Sequence, residues 1–337
     1  AFWEETLYEK RKMIVPARVV DEADVVEINT FEQLRELDSG CDQLKTDAIQ
    51  IIEEVFQVSQ KDIKNITVLK KGMTNRSFLF ECKEKKYIMR IPGEGTDKLI
   101  NRREEAEVYQ KIADYHICDR VIYMNPENGY KITEYMNSVR NCDAEQMEDV
   151  KKCMKKLREF HELKLKVNHE FDLFEHIQFY EQLWEGSPST FKDYAETKRK
   201  SYVEQYCGQK VLTHIDAVPD NFLFWEKNPE ETDIRLIDWE YAAMQDPHVD
   251  IAMFCIYAMY NRTHIDQTID AYFTEGCAEN IRIKIYAYIA ICGLLWSNWC
   301  EYKRNLGVEF GEYSLRQYRY AKEYYAIVET ERRKVEI

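Results

Sequence analysis

From Ile66 the apolar residues come in short strand-like runs, ITVLKKG, RSFLFEC and KKYIMRIPG, with Gly72 and Glu84-Lys85 at the intervening turns. Three such runs joined by short connections predict an antiparallel sheet. The spacing then changes to a helical one over residues 98–112, before a further short strand, KITEYM, at 131–136. Over 146–163, Met147, Val150, Met154, Leu157 and Phe160 recur three and four apart, which predicts an amphipathic helix packed on a core. The runs QKVLTH, NFLFW and IRLID, between 209 and 238, read as strands, and 249–260, 281–299 and 313–327 read as apolar helices. The pattern defines an α+β chain with a small antiparallel-sheet lobe over 45–136 and a large helical lobe over 137–337. The cleft between two such lobes is where a ligand sits.

Composition narrows the class without changing that picture. At 337 residues the chain has room for two lobes and an appendage, and 45% hydrophobic with 32% charged residues is the balance of a soluble globular protein. The longest near-apolar run, 287–296, is half of the roughly 20 residues a membrane helix needs and is interrupted by Gly293, so no span is expected. The opening AFWEETLYEKRK has charges where a signal peptide has its apolar stretch. Ten cysteines form no C-x-x-C pair and have no His at zinc-finger spacing, which points to reduced thiols and a cytoplasmic location. A net charge of -14 repels nucleic acid and suits a cationic small substrate.

The most specific constellation is His214-Ile-Asp216-Ala-Val-Pro-Asp220-Asn221 between two apolar strands, with Ile237-Asp238-Trp239-Glu240 seventeen residues further on. Phosphoryl transfer needs a carboxylate to orient and deprotonate the attacking hydroxyl, and hard oxygen ligands for a magnesium ion that bridges nucleotide phosphates. Asp216 fits the first role, and Asn221 and Asp238 fit the second. The plainer alternative is a turn in which Asp and Asn act as local caps.

H-x-D-x-x-x-x-N followed by I-D-x-E-Y resembles the catalytic and metal-binding loops of the choline/ethanolamine kinase and aminoglycoside phosphotransferase group. That resemblance implies a protein-kinase-like bilobal fold with ATP as co-substrate. By it, Asp216 is the catalytic base, Asn221 and Asp238 hold Mg2+, and His214 and Asp250 brace the catalytic loop. Glu240-Tyr241 is more typical of choline kinases than of the antibiotic kinases. The turn Lys71-Gly72-Met73-Thr74-Asn75 resembles the family's phosphate-covering loop, assigning Gly72, Thr74 and Asn75 to the nucleotide. Arg90 matches the nucleotide-phosphate cation, with Glu105 as its ion-pair partner and Glu104 as the alternative. Glu134 and Met136 match the hinge whose backbone meets adenine.

Trp296 and Trp299 stand three apart on one helix face, and choline kinases carry a similar pair that cages trimethylammonium. A permanent cation that donates no hydrogen bond is held well by ring faces, each worth about 0.5–2 kcal/mol. Tyr241, Tyr313 and Tyr318 are further candidate walls, and Glu240 a candidate carboxylate beside them. A buried, purely structural Trp pair is the competing reading. The resemblance implies ATP-dependent phosphorylation of choline. Ethanolamine, another amino-alcohol or an aminoglycoside is the alternative acceptor, and a catalytically silent nucleotide-binding relative is the rival class. Residues 1–40 resemble the closing segment of sugar-phosphate and phosphocholine nucleotidyltransferases. The chain begins without Met, and the natural protein is expected to continue upstream into a cytidylyltransferase forming CDP-choline.

Overall fold

The computed structural model describes residues 46–69, 75–93, 100–183, 203–228, 231–305, 307–308 and 310–335. The expectations for residues 1–40, Gly72 and Thr74 lie outside them. Strands β1 (Lys64–Val68), β2 (Asn75–Cys82), β3 (Lys85–Pro92), β4 (Val121–Met124) and β5 (Lys131–Glu134) pair antiparallel in the order β1-β2-β3-β5-β4. The β2–β3 turn falls on Lys83 (φ 50°) and Glu84 (φ 63°), with Cys82 opposite Lys85, one residue earlier than expected. Two left-handed residues make the mirror-image turn whose twist matches the strands it joins.

Helix α1 (Asp47–Phe56) escaped the sequence reading. Thr46 caps it by accepting from the Ile49 N–H at 3.4 Å. Its Ala48, Ile49 and Ile52 cover Phe80, Tyr87, Met89 and Ile132, which closes a core on one face of the sheet. Helix α2 (Arg102–Ile112) begins later than residue 98, because Asn101 ends the extended chain. The Asn101 carboxamide accepts from the N–H groups of Arg103 and Glu104.

The second half contains α3 (Met147–Glu162), α4 (Leu173–Leu183), α5 (His248–Tyr257), α6 (Arg262–Tyr272), α7 (Glu279–Asn305) and α8 (Glu312–Val335). Helices α7 and α8 outrun their sequence-derived limits, whereas α5 stops short of residue 260. Two short antiparallel sheets are embedded among them. One joins β6 (Val139–Asn141), β8 (Phe222–Asn228) and β9 (Glu231–Leu236), and the other joins β7 (Val211–Thr213) and β10 (Ala243–Gln245). Their function is positional: the β7–β8 and β9–β10 connections carry the two acidic motifs to one place.

Helix α8 lies directly on α7 at Gly293, where an added Cβ would stand 2.8 Å from both the Gln317 carbonyl and the Tyr320 Cβ. Gly293→Ala therefore forces the helices apart and is expected to lower the unfolding free energy by about 1–3 kcal/mol. Urea denaturation measures it; an unchanged midpoint would contradict the close crossing.

Candidate active site

Asp216 follows β7, and Asn221 closes a short 3-10 turn, Pro219–Asn221. The Asn221 amide N–H donates to the Asp216 carbonyl at 2.9 Å and to its carboxylate at 3.3 Å, so the two side chains share one orientation. Asp250, in the first turn of α5, accepts from the backbone N–H groups of His214 (2.9 Å) and Ile215 (2.7 Å) and pairs with His161 Nε2 at 3.0 Å. Ile215 has φ of 70°, strained for a β-branched residue, and the two N–H bonds to Asp250 hold it there. His214 Nε2 donates to the Ile237 carbonyl at 3.0 Å and ties this loop to the second one. Burial pushes the His214 imidazole down to about 4 against the pull of Asp250, so it is neutral near pH 7.

The second loop returns the contact through the Ile237 N–H, which donates to the Asn221 carbonyl at 2.9 Å. Asp238 takes φ of 67°, a left-handed conformation that Asp tolerates. Trp239 is fully buried and donates from Nε1 to the Leu236 carbonyl at 2.6 Å. Glu240 accepts from Asn75 at 2.8 Å and Arg102 at 3.4 Å, with Arg90 at 3.9 Å. Burial, then the neighbouring Asp238 charge, pushes the Glu240 carboxyl up to about 7. Asp216 is raised for the same two reasons, with Glu240 adding to them.

Arg90, on β3, makes a bidentate pair with Glu105 and also donates to the Gly129 carbonyl at 2.9 Å. Glu105 additionally accepts from Arg102 at 2.9 Å, whereas Glu104 appears only at the helix cap. Arg102 lies across Gly129 (φ 73°), where a Cβ would be 2.6 Å from its Cδ. Thr133 lines the cavity, but Glu134 and Met136 are not among its walls. The Glu134 side chain instead pairs with Lys85 and Arg120.

A cavity of about 730 Å³ brings together Asn75, Arg90, Asp216, Asn221, Asp238, Glu240, Tyr241, Trp296, Trp299 and Tyr313. Its far wall is a chain of rings. Tyr241 meets Trp296 edge-on at 6.2 Å, Trp296 meets Trp299 at 5.3 Å, and Phe310 lies 5.1 Å beyond. His214 and Asp250 stand behind the loop, outside the cavity, and Tyr318 is also outside it. Among the wall residues that the sequence reading did not single out are Phe310, Tyr257, Asp119 and Lys131. Phe310 sits in an irregular connection where no spacing marks it, and Tyr257 looked like ordinary helix core.

The donor set suits magnesium. Asn221 uses its side-chain N–H on Asp216, which leaves its amide oxygen uncommitted by that bond, and Asp238 lines the same cavity. Among the described residues no group of three or more His, Cys, Asp or Glu could hold a metal by itself. Two protein oxygens completed by substrate phosphates is how this ion is commonly bound.

This fold and cleft are those of a phosphotransferase that acts on an alcohol, with ATP as co-substrate. The family model for choline/ethanolamine kinase matches residues 66–292, and the chain belongs to that family of amino-alcohol kinases. The crystal structure of choline kinase LicA from Streptococcus pneumoniae superposes with a TM-score of 0.67 at 28% identity, covering 82% of this chain and 98% of that one. A LicA structure in complex with AMP gives the same score and identity over 84% and 99%. The protein LicA of Haemophilus influenzae is 25% identical over 263 residues, 73% of this chain and 76% of that protein.

The depressed His214 imidazole sets a pH dependence. A base whose folded value lies below its unfolded value of about 6.5 favours folding above that pH and loses the contribution as pH falls towards 4. The stability difference between wild type and His214→Gln should therefore shrink between pH 7 and pH 5 in paired urea titrations. A constant difference would contradict a neutral buried ring.

Proposed function

We propose that the chain transfers the terminal phosphoryl group of ATP to the hydroxyl of choline. The observation that carries this reading is one cavity lined both by Asp216 and by the Tyr241–Trp296–Trp299 rings. A quaternary ammonium fits those ring faces, and the acidic surroundings favour its charge. Ethanolamine has N–H donors for which a ring wall supplies few acceptors.

In this mechanism Asp216, held by Asn221, accepts the hydroxyl proton as the choline oxygen bonds to the terminal phosphorus and the bond to the ADP oxygen breaks. Burial and the neighbouring carboxylates raise its pKa, which makes it a stronger proton acceptor than an ordinary aspartate. Asn221 and Asp238 would hold magnesium, which supplies charge neutralisation on the phosphates. Arg90, fixed by Glu105, presents positive charge at the nucleotide end. His214 and Asp250 keep the loop in its strained shape, and the rings orient the substrate and exclude water.

ADP release measured over choline, ethanolamine, kanamycin and methylthioribose tests the acceptor. The highest kcat/KM is expected for choline, and equal or better turnover of any of the others would remove that assignment. Trp296→Ala and Trp299→Ala should raise the KM for choline by about 10-fold or more with little change in the KM for ATP, given the expected energy of a desolvated cation–ring contact. Equal changes in both constants together with a lowered Tm would mean that the rings act as core.

A further inference from the structure

Lys131 is a cation of the cleft that the mechanism does not use. It is buried at 7% exposure on β5, paired with Arg90 across the sheet. Its ammonium donates to the Tyr109 phenol oxygen at 2.5 Å and lies 4.2 Å from that ring's centre. Among the described residues no carboxylate comes within 4.0 Å of it. An ammonium has three N–H donors, and burial beside a neutral partner alone is costly.

The Tyr109 oxygen has a second donor, the Trp239 backbone N–H at 3.4 Å, immediately after Asp238. Tyr109 stands one turn after Glu105 on α2, so one helix face serves both Arg90 and this contact. Lys131 and Asp238 line the same cavity. Arg90 is already engaged by Glu105 and Gly129.

We propose that Lys131 and Tyr109 are positioning residues for the Asp238 loop. The Tyr109 oxygen gathers the Lys131 ammonium and the Trp239 N–H at one point, so α2 and β5 together fix the loop's left-handed turn. The ammonium places positive charge in the cavity that Asp238 also lines. The assignment rests on the reading of Asp238 as a magnesium ligand given above.

Calorimetric ADP binding, with magnesium and with EDTA, in wild type, Tyr109→Phe, Lys131→Met and Lys131→Arg tests it. Magnesium should tighten ADP binding in wild type, and that gain should shrink about 10-fold or more in Tyr109→Phe and Lys131→Met, the usual effect of removing a group behind a metal ligand. Binding in EDTA should be unchanged, and Lys131→Arg should keep most of the gain. Tyr109→Phe removes one oxygen and keeps the packed ring, so it guards against a folding artefact. An equal loss with and without magnesium would overturn the proposal by showing direct phosphate contact from Lys131. A full magnesium gain in both variants would overturn it by reducing the pair to packing. If wild type itself shows no gain, the reading of Asp238 fails and the proposal falls with it.

Discussion

Asp216, Asp238 and Glu240 line a single cavity, where burial and neighbouring like charges resist their ionisation. Each of the three carboxyls is accordingly raised above its ordinary range. Much of the surrounding architecture answers that constraint. Arg90 and Arg102 converge on Glu105 and Glu240, Asn75 donates to Glu240, and Lys131 on β5 lines the same cavity as Asp238. Because a buried charge without compensation is costly, the sheet half and the helical half of the chain are joined where their charges meet. The two acidic loops must then hold their shape under mutual repulsion. They do so through backbone bonds, with Asp250 gripping one loop and the Ile237–Asn221 and His214–Ile237 contacts fastening the other to it.

The same charge distribution gives the site its chemistry. A cavity rich in carboxylates favours cations, and rings packed edge to face suit one that donates no hydrogen bonds, as the proposed reading requires. The guanidinium of Arg90, made rigid by Glu105, lines the same cavity and meets the nucleotide phosphates in the proposed reading. Membership of the choline/ethanolamine kinase family accords with this polarity of the cleft.

Much of this was legible in the sequence, because the chemistry sits in short motifs whose members are close along the chain. His214, Asp216 and Asn221 lie in one loop, Asp238 and Glu240 in another, and flanking apolar strands dictate where each loop emerges. The three-residue spacing of Trp296 and Trp299 put both rings on one face. Less visible were features set by contacts between distant segments. Lys131 reads as an ordinary strand residue until Tyr109, 22 positions away, is seen beside it. Phe310 reaches the ring wall from an irregular connection, where periodicity has nothing to report. Helix α1 was missed although Thr46 and the Ala48-Ile49-Ile52 face mark it, since its partner strands follow later. At the expected hinge Thr133 lines the cavity and the Glu134 side chain pairs with Lys85 and Arg120, whereas the expectation concerned backbone groups, which side-chain identity does not mark. The β2–β3 turn fell one residue early because the register of the strands, rather than the residue types, fixed Lys83 and Glu84 at its centre.

The central claim is that proton acceptance and cation recognition are separate tasks of different side chains lining one cavity. Calorimetric choline binding to Asp216→Asn, with ADP and magnesium present, separates them when paired with phosphocholine formation from ATP measured by phosphorus NMR. The account predicts choline affinity close to wild type while product formation falls by about 10²–10⁴-fold. Lost choline binding, or phosphocholine formed at the wild-type rate, would contradict it.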